Sequence, residues 1–171
     1  MSTNIKPNLV FTWGNPSRGD DALGPSMYEL LLKENISNVD LLTDFQLQIE
    51  HVLDLEDRQR ILFVDASVTA SAPFEMLRLL PEQDDSYTSH AMSPQALLAV
   101  YKKVNHGTPP PTWLLSVRGY EFGLGLPLSA TASDNLLAAF SHVRQLLNPD
   151  SETQWADHYE AVDPLRSTLA T

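Results

Sequence analysis

An α/β domain, with a twisted and mostly parallel sheet sandwiched between helices in three layers, is what this sequence predicts. Three observations point there. Leu9–Phe11, Ile61–Val64 and Trp113–Val117 are near-continuous apolar runs rich in Val, Ile, Leu and aromatics, as expected of strands buried on both faces. Segments of helical period separate them. A glycine-punctuated polar loop follows the first run, and in open α/β sheets such loops at the carboxyl ends of strands carry the chemistry.

The elements follow in chain order. After Leu9–Phe11 comes TWGNPSRGDDALGP, which delivers Asp20 and Asp21 just before Leu23, Met27, Leu30 and Leu31 at helical spacing. A helix is expected from about Asp21 to Lys33, ended by Asn35, with Asp20 either as its N-cap or in another role. A cap needs one acid, so the second asks for a partner. Val39 to Thr43 reads as a second strand, after which Phe45, Leu47 and Ile49 lead into a second helix through Val52 and Leu55. Ile61–Val64 ends in Asp65. Phe74 to Leu80, set between Pro73 and Pro81, fits a short edge strand. Past the polar stretch from Glu82, Ser93-Pro94 is a helix start with serine as cap, and the helix should run to about Val104 before Asn105-His106-Gly107 and three prolines. Trp113–Val117 is the last strand. Ser133 to Leu147 is the last core helix, with Leu136, Leu137, Phe140 and Val143 on its periodic positions. Residues 1–149 are thus expected to form one domain. Residues 150–171 form a tail, with a capping-box pattern at Ser151–Gln154 that could start a short helix. Its scattered apolar residues suggest that it is dispensable for folding.

Composition narrows the function. A chain of 171 residues suits one domain, and a formal net charge of -11 opposes nucleic-acid binding, which needs Lys and Arg gathered on one face. There are no cysteines, so disulfides, thiolate metal sites and a cysteine nucleophile are excluded. No apolar run approaches the length of a membrane span. A soluble, cytoplasmic, monomeric protein is expected.

Asp20 or Asp21, after the first strand, and Asp65, after the third, should meet, since strands one and three are commonly neighbours in such sheets. His90 lies in a loop just before a helix and could join them. Two carboxylates and an imidazole suit a borderline divalent ion such as zinc or nickel and leave coordination positions open. The bland reading gives one aspartate to a helix cap and the histidine to solvent. His51, His106, His142 and His158 have no carboxylate placed beside them by this argument and read as structural or surface residues. Glu50 and Gln46 sit near a helix start, where the macrodipole explains an acid. The glycines fit neither a dinucleotide fingerprint nor a phosphate loop.

GNPSRGDDALGP after an apolar strand, FVDAS at the next central strand and TSHAMSPQALL after an acidic loop resemble the three signature regions of the nickel-iron hydrogenase maturation proteases. The likeness runs in order from about Leu9 to Leu147. It implies an endopeptidase that removes the C-terminal extension of a nickel-loaded hydrogenase large-subunit precursor. It also implies that Asp21, Asp65 and His90 recognise the nickel, with Asp20 as supporting neighbour and all four counted as catalytic candidates. The nickel would arrive with the substrate, so weak or absent metal is expected in the free enzyme. Other members carry the histidine after the Ser-Pro pair, where this chain has Gln95. Two rival readings share the acidic pocket. One is a receiver-like phosphoacceptor domain holding magnesium, although it would want a lysine where Arg118 stands. The other is a metal-dependent binding module without catalysis.

Overall fold

The computed structural model describes residues 4–81, 92–105, 107–150 and 155. Five strands form one sheet: β1 (Asn8–Trp13), β2 (Val39–Asp44), β3 (Arg60–Ser67), β4 (Phe74–Leu79) and β5 (Thr112–Arg118), in the order β2-β1-β3-β5-β4. β2, β1, β3 and β5 run parallel, and β4 joins β5 antiparallel at the edge, as the flanking prolines suggested. The helices are α1 (Leu23–Leu32), α2 (Pro94–Asn105) and α3 (Ala130–Leu146).

Alternation along the central strands divides the core into two layers. Val10, Leu62, Val64, Leu115 and Val117 pack with Met27 and Leu31 of α1 and with Ala139 and Val143 of α3. Leu9, Phe11, Ile61 and Phe63 face the other way, onto Leu97 and Leu98 of α2 and onto Val52 and Leu55. Both faces of β1 and β3 are therefore covered, which is why their sequences are unbroken apolar runs rather than alternating ones. Among the described residues no helix is long and apolar enough to cross a membrane.

Three expectations need correction. The first helix begins at Leu23, not Asp21, because Gly19–Ala22 forms a 3-10 turn ahead of it. The segment after β2 is also 3-10, over Ile49–Leu55. Val52 and Leu55, three apart, face the core, while Ile49 and Leu53 are exposed, and seven residues are too few to separate a period of 3.0 from 3.6. The third concerns the tail. Trp155 is 2% exposed, packs against Trp113 with the ring planes tilted by 56° and the centroids 4.8 Å apart, and donates its indole N–H to the Leu146 carbonyl at 2.8 Å. The remaining tail positions, including the expected short helix, lie outside the described residues.

Truncation before Ser151, or Trp155→Ala, should therefore destabilise the fold by about 3–5 kcal/mol, the usual cost of deleting a buried Trp side chain. Urea melts would measure it. An unchanged midpoint would mean that the Trp155 contact contributes nothing.

Candidate active site

β1 is the switch point of the sheet: the chain leaves it toward β2 on one side and reaches β3 on the other. The crevice outside the carboxyl ends of β1 and β3 is where ligands bind in open α/β folds. Gly14 follows β1 with φ +148°, and a Cβ there would lie 2.0 Å from the Asp21 carbonyl oxygen, so only glycine permits this close return of the chain. The return is fastened by the Asn15 N–H, which donates to Asp21 Oδ2 at 2.7 Å.

The adjacent acids have different roles. Residues in a 3-10 turn are spaced at three per turn, so Asp20 and Asp21 cannot share a direction. Asp20 is fully buried. Its Oδ2 accepts from the Tyr120 N–H (2.7 Å), the Glu121 N–H (3.0 Å) and the Ser129 hydroxyl (2.8 Å), and its Oδ1 from the Ser129 N–H (2.7 Å). Ser129 is also the N-cap of α3, accepting from Ala132 N–H, so the Asp20 charge lies at the positive end of that helix. Burial alone would raise the Asp20 pKa, but the bonds from Ser129, Glu121 and Tyr120 outweigh it and hold the pKa below 3.8. Asp20 is thus neither the N-cap of α1 nor in reach of a substrate. It ties the loop after β5 and the start of α3 to the loop after β1. Gly19, at φ +53°, permits this, since a Cβ there would meet the Glu121 carbonyl oxygen at 2.2 Å.

Asp65, paired in register with Ser116 of β5, is half-buried near the carboxyl end of β3. Its Oδ1 accepts the Ala66 N–H at 2.8 Å. Burial is the main cause that lifts its pKa from 3.8 to about 7; the Ala66 N–H opposes the rise, the nearby Asp21 charge adds to it, and the Trp13 indole N–H opposes it. Asp21 is thus close enough for its charge to act on Asp65 across the neighbouring carboxyl ends of β1 and β3. A carboxylate pair in which one member keeps its proton to near neutrality is poised for acid–base work or for capturing a dication. His90 lies outside the described residues, as do His106, His158 and the acidic run Glu82–Asp85. Among the described residues no three His, Asp or Glu side chains gather into a metal-holding group.

The remaining candidates are structural. His51 Nδ1 accepts the Gln48 N–H at 2.9 Å, which leaves the proton on Nε2 to donate to Asp44 Oδ2 at 3.1 Å. His142 stacks on Phe74. The Arg118 guanidinium donates to the Ala70 carbonyl (2.9 Å) and the Gly119 carbonyl (3.2 Å) and lies over Tyr120, an arrangement that does not present it to a phosphoryl group. Trp13, Asn15 and Ser129 support the acids and were not singled out from the sequence. Nothing local marks them, since each acts through a partner brought in by the fold.

The Asp65 carboxyl gives a pH signature. With a folded pKa raised above the unfolded one, the native chain holds a proton between about pH 4 and pH 7 that the unfolded chain has released, so stability falls as pH rises through that window. Asp65→Asn, neutral throughout, should lose this slope and be more stable than wild type at pH 8 by on the order of 3 kcal/mol. Denaturant melts at pH 5 and pH 8 test this, and parallel profiles for the two proteins would refute it.

By sequence, no protein-family model and no curated protein matches the chain. The fold is nonetheless shared with solved structures. A [NiFe] hydrogenase maturation protease, HycI from Thermococcus kodakarensis KOD1, is 19% identical with a TM-score of 0.65, over 84% of this chain and 94% of that one. The hydrogenase maturating endopeptidase HybD from E. coli is 21% identical with a TM-score of 0.63, over 80% and 88%. The hydrogenase 2 maturation peptidase from Thaumarchaeota archaeon SCGC_AB-539-E09 is 24% identical with a TM-score of 0.60, over 84% and 99%.

Proposed function

We propose that this protein is an endopeptidase that removes the C-terminal extension of a nickel-loaded hydrogenase large subunit. What supports the reading is a fold shared with hydrogenase maturation proteases in which Asp21 follows β1 and Asp65 lies near the end of its neighbour β3, with the Asp21 charge acting on Asp65. His90 is the third member of the proposed recognition set. The nickel belongs to the substrate. A dication docking on the pair displaces the Asp65 proton, so recognition is linked to deprotonation and strengthens as pH rises toward 7. Hydrolysis then needs a water whose hydroxyl goes to the scissile carbonyl carbon and whose proton passes by way of a carboxylate to the departing amine. Two acids without a completed ligand set bind metal weakly, so the purified protein should carry little.

The test is to incubate the full-length protein with an unprocessed large subunit, with and without nickel, and follow the extension by mass spectrometry. A single cut that needs nickel is the expected result. Cleavage indifferent to nickel, or phosphoryl uptake on Asp65 with the precursor left intact, would overturn the proposal.

A further inference from the structure

A groove of about 390 Å³ opens beside the loop that follows β1, between α1 and the carboxyl end of β2. Pro16, Pro25, Tyr28 and Phe45 supply apolar surface, and Phe45 is 66% exposed. Asp44 and Glu29 add two carboxylates, and among the described residues no Lys, Arg or His lines the groove. Its near end is Gly14, the residue beside Asn15, whose N–H holds the Asp21 carboxylate. A polypeptide lying across Asp21 and Asp65 would meet the groove as soon as it passed the Gly14–Asn15 turn. β2 is an edge strand, with β1 as its partner in the sheet.

From this continuity and this charge we infer that the groove binds an extended stretch of the polypeptide to be cut, taking an apolar or aromatic side chain with a basic residue next to it. The inference rests on the endopeptidase reading for the identity of the polypeptide, and on the groove alone for its chemistry. Apolar walls supply contact area, while Glu29 and Asp44 discriminate against an acidic neighbour, which would be left facing like charge. Asp44 is partly engaged already, with Oδ1 accepting the Phe45 N–H and Oδ2 facing His51. Glu29 is exposed, and its charge is the simpler one to reverse.

Two fluorescein-labelled peptides test it by anisotropy with the full-length protein: one with a Phe between two Lys, the other with the same Phe between two Glu. The Lys peptide should bind about tenfold more tightly. Ser26→Trp, which fills the groove, should weaken it by a similar factor, and Glu29→Lys should narrow or invert the preference. Equal binding of the two peptides, or binding untouched by both variants, overturns the inference. So does a change in self-association by sedimentation with Ser26→Trp at unaltered peptide affinity, which would make a second copy the occupant. Peptide binding is read without cleavage, so the two proposals fail separately. A protein that binds the Lys peptide in this groove but cuts no precursor refutes the endopeptidase alone. One that cuts the precursor with KM unchanged in Ser26→Trp refutes the groove alone.

Discussion

Asp21→Ala and Asp65→Ala should each lower cleavage of a nickel-loaded precursor by about 10²–10⁴-fold, the range lost when a positioned acid–base group is removed. The double variant should do little worse than the poorer single one, as the proposed mechanism requires of two carboxylates acting as one unit. Neither change should unfold the protein. The Asp21 carboxylate is held by one hydrogen bond, from the Asn15 N–H, among the described residues, and removing Asp65 relieves a buried charge. Rates measured beside melting curves make the distinction. Substantial cleavage by the double variant would remove both acids from the mechanism.

Asp20→Ala should do the reverse, losing the fold rather than a single catalytic step. It strands three backbone N–H groups and a hydroxyl that now converge on one buried carboxylate, and breaking such an arrangement from one side costs about 3–5 kcal/mol. Asp20→Asn keeps the shape but turns a donor toward donors, so it should recover part of the loss and no more. Since the folded pKa lies below 3.8, the wild-type advantage is full above that pH and shrinks as pH falls through the folded value. Melting temperatures at pH 7 and pH 3 check both statements. A variant as stable as wild type at pH 7 would show that the bonds are not needed.

The contrast between neighbouring acids marks where sequence reasoning stops. β1, β3 and β5 are legible because strands covered on both faces must be apolar throughout. The place of Asp21 and Asp65 follows from strand adjacency in such sheets. Which acid faces the crevice does not follow, because Asp20's partners lie 100 and 109 residues away and leave no local signal. Trp155 escapes notice for a similar reason: a single aromatic beyond a helix end has no period, and its partner Trp113 belongs to a strand some forty residues earlier. The 3-10 segments are missed because propensity does not tell a short tight turn from the first turn of an α-helix.

The Asp20 tie has a consequence for the order in which the molecule is made. Closing loops of 100 and 109 residues costs chain entropy that only an already assembled sheet can offset. The carboxyl edge of the sheet should therefore be among the last parts to form. A ribosome-bound chain that has emerged only as far as β3 carries both Asp21 and Asp65 but lacks Tyr120, Glu121 and Ser129, and so cannot hold the loop that aims Asp21. Pulse-labelled hydrogen exchange during refolding should protect those three amides after the β1 amides, and simultaneous protection would contradict this order. That edge would then be completed only in a chain already synthesised through α3.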